Sequence, residues 1–200
     1  MIVEWTTYRV KPGAGNDVLN TLERLKPQSG IFGVWSSVLG NDHRIYLLTE
    51  AAGQSLESRR EDLLAGEGLF APAPFCEDIS TSVFRTLDAL PGITEGEHGA
   101  IYEIRSYELQ PSDALKLAEK GWADVLDVRL SIRPITAVMH SVNGLTPRLV
   151  HIYPYKDLAE RIAVRNQAIA TGKWPPKGGA GRNRVMASEL AVPAPFSTIR

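Results

Sequence analysis

The sequence predicts an α+β fold built from two copies of one small βαββαβ unit, and two series of recurring residues support this prediction. Three residues near the start recur 99 positions later: Glu4 with Glu103, Tyr8 with Tyr107 and Pro12 with Pro111. Three further residues recur 104 positions later: Gly40 with Gly144, Arg44 with Arg148 and Gly68 with Gly172. A period of about half the chain is typical of a duplicated domain and is too long for a solenoid repeat.

Residues 1–90 are predicted to form the first copy. Four stretches have the alternation and the β-branched or aromatic content of strands: residues 2–10, 33–39, 44–49 and 78–87. Apolar residues at helical spacing predict a first helix that ends at residues 27–30: Val18, Leu19, Leu22 and Leu25. Asn16 or Asp17 is its expected N-cap. The second helix is expected to begin at Ser55 and to end near Gly66.

Residues 98–200 are predicted to form the second copy, after a linker rich in glycine, proline and acidic residues. Its strands are expected at residues 100–109, 135–142, 148–154 and 184–192. A turn at Asn143 and Gly144 joins the middle two strands. One helix is expected over residues 112–128, and another runs from an N-cap at Asp157 to Gly172. Both copies therefore have the element order of a ferredoxin-like unit.

A ferredoxin-like sheet carries helices on one face only, so its other face needs a cover or must face water. Residues 34–39 and 149–153 carry no charged side chain other than a histidine, which favours a covered face. The natural cover is the sheet of the other copy. We therefore expect the two repeats to pack sheet to sheet as a pseudo-two-fold dimeric α/β barrel with its helices outside.

Charge and composition exclude several classes of partner. Lys plus Arg number 22 and Asp plus Glu number 23, so no broad basic surface is available and no nucleic-acid partner is expected. No apolar run approaches the roughly 20 residues that span a bilayer, and the first residues lack a signal-peptide pattern. The single cysteine, Cys76, fits a reducing compartment, so a cytoplasmic location is expected. Neither a metal nor a cofactor is predicted, because no metal-ligand, Walker or Rossmann spacing occurs.

The second half resembles the NIPSNAP family. The resemblance rests on Tyr-Glu-Ile-Arg-Ser-Tyr-Glu-Leu at residues 102–109 and on Val-His-Ile-Tyr-Pro-Tyr-Lys-Asp-Leu-Ala-Glu-Arg at residues 150–161, followed by Arg165. The first half matches more loosely, because Thr6 stands where the motif has Arg. Tyr153 also replaces a usual Trp. The resemblance implies a dimeric α/β barrel and implies no established reaction.

Glu103, Arg105 and Tyr107 lie at alternate positions of one predicted strand, so their side chains share one face. The residues between them are more apolar and suit a helix-covered face, so we expect these three side chains to point into the barrel. Two interpretations are open. The three residues form the polar wall of a ligand cavity, or Glu103 and Arg105 are a structural ion pair that joins strand ends.

The same alternation predicts that His151 and Tyr153 also point into the barrel. His140 lies on the paired strand and becomes a cross-strand neighbour of His151 if the hairpin register allows. Two imidazoles beside a tyrosine and a carboxylate could carry acid–base chemistry, because histidine titrates near neutral pH. The alternative for each histidine is a hydrogen-bonded core residue.

Three functions remain open from the sequence. The first is an uncharacterised NIPSNAP-like protein that binds a small apolar or amphipathic molecule in the barrel and forms homo-oligomers. The second is a cofactor-independent monooxygenase or isomerase, in which His151 or His140 acts as base, Arg105 stabilises an enolate and Tyr107 orients it. The third is a protein-interaction module whose barrel is filled by side chains.

Three segments near the C-terminus carry further expectations. Residues 174–176, Trp-Pro-Pro, are expected to cover the mouth of the barrel. Residues 177–184 are glycine-rich and basic, which fits a mobile surface loop or an anion-binding cradle. Residues 191–196 are apolar and resemble a tail that docks on a neighbouring subunit.

Overall fold

The computed structural model of the chain describes residues 1–26, 30–51, 56–177 and 179–200. In these ranges the chain forms eight strands and six α-helices. The strands are β1 (Ile2–Val10), β2 (Ile31–Leu39), β3 (Arg44–Glu50), β4 (Cys76–Thr86), β5 (Ile101–Leu109), β6 (Ala137–Ser141), β7 (Arg148–Tyr155) and β8 (Asn183–Pro193). The helices are α1 (Gly15–Leu25), α2 (Leu56–Ala65), α3 (Ala114–Ala123), α4 (Leu126–Ile132), α5 (Leu158–Ala170) and α6 (Gly179–Arg182).

The eight strands form one closed antiparallel barrel in the order β1-β3-β2-β8-β5-β7-β6-β4. Strands β1–β4 occur in the order β4-β1-β3-β2, and strands β5–β8 repeat that order as β8-β5-β7-β6. The halves join edge to edge, β2 with β8 and β4 with β6. Closure in this way gives each of the eight described strands a partner on both sides. The predicted mixed α/β barrel is therefore confirmed, and its two four-stranded halves are joined by backbone hydrogen bonds at both seams.

The interior of the barrel is a packed, mainly apolar core with side chains from all eight strands. Trp5 stacks on Tyr46 and on Trp35, with ring centroids 5.2 Å and 6.1 Å apart. Trp35 in turn contacts Tyr102 at 5.5 Å. An eight-stranded barrel is just wide enough for side chains to fill it. These aromatic rings therefore occupy the space in which a ligand was expected.

The structure corrects the predicted orientation of five side chains, which lie on the outer, helix-covered face of the sheet: Glu103, Arg105, Tyr107, His151 and Tyr153. Tyr102 and Ile104, expected beneath the helices, point into the barrel core instead. Their bulk fills the narrow interior, whereas the outer face offers Glu103 a cationic partner, Arg161 on α5. The residues do share faces as predicted, but the two faces are exchanged.

Several predicted boundaries change. The helix expected over residues 112–128 is two helices, α3 and α4, because the backbone at Val125 leaves the helical region with φ −120°. Ala14 occupies the N-cap position of α1, and both predicted caps lie inside its first turn. Asp157 caps α5 as predicted, with its carboxylate accepting from the Glu160 backbone N–H at 2.8 Å. The predicted helix start at Ser55 and the helix end at residues 27–29 lie outside the described residues.

The C-terminal tail docks on its own chain, which corrects the expectation that it reaches a neighbouring subunit. Ile199 is fully buried in the barrel core. The Ala194 N–H donates to the Val34 carbonyl at 2.9 Å, and the Ser197 hydroxyl accepts from the Val34 N–H at 3.0 Å. The apolar residues of the tail therefore complete the core beside β2.

No helix within the described ranges is long and apolar enough to cross a lipid bilayer.

Gly33 gives a test of the barrel core. A Cβ atom at this position would lie 2.0 Å from the ring of Trp35, which is fully buried. We expect Gly33→Ala to lower the free energy of unfolding by about 3 kcal/mol, because the ring has no room to shift. Urea denaturation measures the change. Gly15→Ala is the matched control, since its added methyl group meets no described atom within 4 Å. Equal stability of the two variants would contradict this packing.

Candidate functional site

Glu103 is a buried carboxylate that joins three elements on the outer face. Its side chain accepts from Arg105 on the same strand at 2.7 Å, from Arg161 on α5 at 2.5 Å and from the Ser188 hydroxyl on β8 at 2.8 Å. Burial by itself would raise the pKa of this carboxyl group, but the two arginines and the serine hold it below its ordinary value. Glu103 therefore stays ionised and fixes Arg105 in place. The structural interpretation of this ion pair is supported for Glu103.

The first half contains a simpler version of this cluster. Glu4 on β1 accepts hydrogen bonds from Arg59 on α2 and from the Thr81 hydroxyl on β4. Thr6 occupies the strand position that corresponds to Arg105, and its hydroxyl bonds Thr81 at 3.1 Å. The carboxylate that joins helix to sheet is thus present in both halves, whereas the second arginine occurs in the second half.

Arg105 is positioned by Glu103 and by two aromatic residues. Its guanidinium lies 5.1 Å from the centre of the Tyr153 ring, and one of its amino groups is 3.4 Å from the Tyr107 hydroxyl. Burial alone would lower the pKa of Arg105, but Tyr153 and Glu103 raise it above the ordinary value, so the group is always charged. Among the described residues, the Arg105 Nε atom has no hydrogen-bond partner.

His151 lies directly opposite Arg105 in the β5–β7 ladder, and only 4% of its surface is exposed. Three aromatic rings surround it: Tyr107, Trp122 and Tyr153, with centroids 4.8, 5.1 and 5.9 Å away. The Tyr153 hydroxyl is 3.3 Å from the imidazole Nδ1 atom, and the Nε2 atom has no partner in the described part of the chain. Burial, and then the charge on Arg105, lower the pKa of His151 to about 3. The imidazole is therefore neutral at pH 7.

Arg105 and His151 line a cavity of about 290 Å³ between the sheet, helices α3 and α5, and the segment that leads into β8. The volume is near the lower end of the range for small-molecule sites. The lining residues are Arg105, Tyr107, Ala118, Trp122, Leu149, His151, Arg165, Ile169, Trp174, Pro175, Pro176, Arg182, Asn183 and Met186. Three arginines line this cavity, and none of the described carboxylates does.

The structure brings together three of the six predicted ligand-binding residues at the cavity wall: Arg105, Tyr107 and His151. Glu103 and Tyr153 lie behind them and hold Arg105 and His151. His140 lies elsewhere. The register pairs it with Leu149 and pairs His151 with Val138, so the two histidines are not cross-strand neighbours. The His140 Nε2 atom is 3.8 Å from Glu119 on α3.

The remaining walls were indicated in part by the sequence. Residues 174–176 line this outer cavity and do not cover the mouth of the barrel as expected. Trp174 packs against Trp122 at 5.2 Å. Gly121 makes room for this wall, because a Cβ atom there would lie 3.2 Å from Pro176 and 3.5 Å from the Arg182 guanidinium. Residues 179–182 of the predicted glycine-rich loop form the short helix α6, which presents Arg182.

No group of three or more His, Cys, Asp or Glu side chains within the described residues could hold a metal ion.

The Glu103 cluster gives a stability prediction. We expect Glu103→Gln to lower the free energy of unfolding by about 3 kcal/mol, because two guanidinium groups lose their counter-charge in a buried setting. Arg161 is 26% exposed, which keeps the loss at the lower end of the range for buried pairs. Glu97→Gln is the control, since it removes an exposed pair with Arg200 and should change stability by less than about 0.5 kcal/mol. Similar losses in both variants would exclude the proposed role of Glu103.

His151 gives a prediction for pH dependence. Folding lowers the pKa of the His151 imidazole. Below pH 6.5 this imidazole therefore binds a proton in the unfolded chain but stays neutral in the folded chain. Stability must therefore fall as the pH drops below 6.5. Between pH 7.5 and 5 this one group is expected to cost about 2 kcal/mol.

His151→Phe should lose that part of the pH dependence, as measured by urea denaturation at the two pH values. His43→Asn is the control, because His43 lies in an exposed turn with φ 57°, which Asn tolerates. A wild-type slope in His151→Phe would show that the imidazole titrates normally.

The match to a known protein family lies in the second half of the chain. The family model NIPSNAP matches residues 102–198, and this stretch contains every residue that lines the cavity. A NipSnap homologue of Dictyostelium discoideum is 22% identical over 182 residues, which cover 86% of this chain and 78% of that protein.

Solved structures with the same fold extend over nearly the whole chain. An anthrone oxidase-like protein is 14% identical, with a TM-score of 0.64, and the match covers 96% of this chain and 91% of that one. A candidate monooxygenase from Fusobacterium nucleatum is 9% identical, with a TM-score of 0.63 and the same coverage. At these identities the likeness concerns the fold alone. The family resemblance carried by the sequence motifs is confirmed: residues 102–198 match the NIPSNAP family, and a NipSnap homologue is similar over most of the chain.

Proposed function

We propose that the chain binds one small organic molecule in the outer cavity, between the face of β5, β7 and β8 and helices α3 and α5. The observation that carries this proposal is that two buried side chains with unpartnered nitrogen atoms line one cavity together with aromatic residues. Arg105 Nε and His151 Nε2 have no hydrogen-bond partner among the described residues, and both side chains line the cavity. Buried polar groups normally have a partner, so a bound molecule is expected to supply it.

The proposed location differs from the one expected from the sequence. The barrel interior is filled by its own side chains, which supports the filled-barrel part of the interaction-module hypothesis. The outer cavity, however, has both apolar walls and fixed polar groups, which is the composition of small-molecule sites. Binding of a small molecule is therefore favoured over a purely structural barrel.

We also propose that residues 1–90 and 98–200 are tandem repeats, of which the second carries the site. Both repeats have the same strand order and the same buried carboxylate, Glu4 or Glu103. In the first repeat, Leu47 occupies the position of His151 and is fully buried. Tyr8, in the position of Tyr107, is also fully buried and donates to the Leu69 carbonyl at 2.9 Å. Apolar packing thus replaces the cavity at these positions.

A second candidate is an oxygenase that acts on an enolisable aromatic compound. Arg105 and the neutral His151 lie side by side at the cavity, and such a pair could hold an enolate oxygen. The similar folds of an anthrone oxidase-like protein and a candidate monooxygenase agree with this reaction class. His151 is a poor general base because its pKa of about 3 is far below neutral pH. The substrate would therefore need to ionise without it, and oxygen uptake with an anthrone separates this candidate from binding alone.

Self-association stays a prediction. The barrel closes within one chain and the cavity is lined from that chain, so the proposed site is complete in a monomer.

Filling the cavity tests the binding proposal. Ala118 on α3 lines the cavity, and a leucine there would occupy part of it. We expect freshly purified protein to carry or take up a small molecule in native mass spectrometry, and to bind 2-naphthoate or 2-naphthamide in calorimetry. Ala118→Leu should weaken binding of the better probe by about tenfold or more.

Ala123→Leu is the matched control, because Ala123 lies on the exposed side of the same helix. It should bind like the wild type. If neither probe binds and no molecule travels with the protein, or if both variants bind equally well, the binding proposal is wrong.

A further inference from the structure

We propose that the molecule bound in the outer cavity is an organic anion, with a carboxylate or phosphate group attached to a flat apolar body. This inference rests on the proposed function and adds the chemical class of the ligand. Charge, hydrogen-bond donors and the shape of the walls each support it.

The charge around the cavity is strongly positive. Arg105, Arg165 and Arg182 line it, and none of the described carboxylates does. Glu103 lies behind Arg105 but is shared between Arg105 and Arg161. These two guanidinium groups and one carboxylate keep a net charge of one positive unit. A cavity lined by cations favours an anion, and the effect is large where water is excluded.

The unpartnered nitrogen atoms of Arg105 and His151 also favour an anionic ligand. Arg105 is a donor at every nitrogen, so its free Nε–H calls for an acceptor. His151 faces Arg105 across the ladder and stays neutral beside it, so its imidazole carries one N–H donor and one acceptor nitrogen. When the Tyr153 hydroxyl donates to Nδ1, the imidazole proton is on Nε2, and the histidine becomes a second donor. An anionic oxygen group accepts from both residues.

The walls indicate a flat apolar body. Trp122 and Trp174 meet at 69° to form one corner of the cavity, and Pro176, Ile169 and Met186 complete the apolar surface. A cavity of about 290 Å³ has room for roughly two fused rings. A planar body therefore fits against the tryptophans while its charged group reaches Arg105.

The first half supports the assignment by contrast. Thr6 and Leu47 occupy the positions of Arg105 and His151, and both are buried in a packed layer. The cation and the imidazole thus occur together in the half that has the cavity. A structural need common to both halves does not explain them.

Three probes of one shape test the inference: 2-naphthoate, 2-naphthyl phosphate and the neutral 2-naphthamide, titrated into the full chain by calorimetry at pH 7.5. At least one anion should bind about tenfold more tightly than the amide. The tighter anion identifies the group as a carboxylate or a phosphate. Raising the salt concentration should weaken binding of the anion and leave binding of the amide unchanged.

Arg105→Met should reduce the affinity for the anion by about tenfold while leaving that for the amide within about twofold. Arg182→Met, at another residue that lines the cavity, is a second variant in case the first does not fold, and it should also reduce the preference for the anion. If the amide binds as tightly as both anions and salt has no effect, the inference is wrong and the proposed binding function stands. If none of the three probes binds, the inference is wrong, and the binding proposal is wrong as well when no molecule travels with the purified protein.

Discussion

The ion-pair cluster at Glu103 is the interaction on which the site depends. One buried carboxylate holds Arg105 on its own strand, Arg161 on α5 and Ser188 on β8, so it fixes the helix to the sheet and the cation to the cavity in a single arrangement. Removal of two long cationic side chains from water is costly unless both find a counter-charge. Because the carboxylate satisfies both, Arg105 remains charged beside a neutral His151, and both of these cavity-lining residues keep a buried nitrogen atom without a partner among the described residues. The same group that stabilises the fold therefore creates the chemistry of the site.

The fold could be predicted from the sequence to a large extent, because strands and turns are determined locally. The alternation in residues 2–10 and the turn at Asn143 and Gly144 placed their strands correctly. The same alternation showed that Glu103 and Arg105 share a face, but it could not show which face is inside. That choice depends on distant residues: the aromatic rings that fill the narrow barrel, and Arg161, which lies 58 positions away and attracts the carboxylate to the helix side. A period of two carries no information about such partners.

The residues of the site could be predicted only in part, because some of its walls also depend on contacts between distant parts of the chain. Arg105, Tyr107 and His151 could be grouped because two adjacent strands carry them in register. His140 was wrongly grouped with them because one unknown, the hairpin register, decides whether it faces His151 or Leu149. The remaining walls come from α3 and from residues 174–186, which reach the cavity through tertiary packing. Gly121 is a local sign of that packing, since a glycine inside a helix usually weakens it and here makes room for Pro176 and Arg182.

Closure of the barrel within one chain explains how the two halves can differ. In an assembly of two identical copies, every substitution occurs in both, so a cavity cannot be opened in one half and filled in the other. Here the seams between β2 and β8 and between β4 and β6 join halves with separate sequences. Under the proposed duplication, Thr6 and Leu47 let the first half pack tightly, and this packed layer supports a second half that contains a cavity and unpartnered polar atoms. Such a cavity weakens the half that contains it, and the barrel shared with the other half can offset that cost.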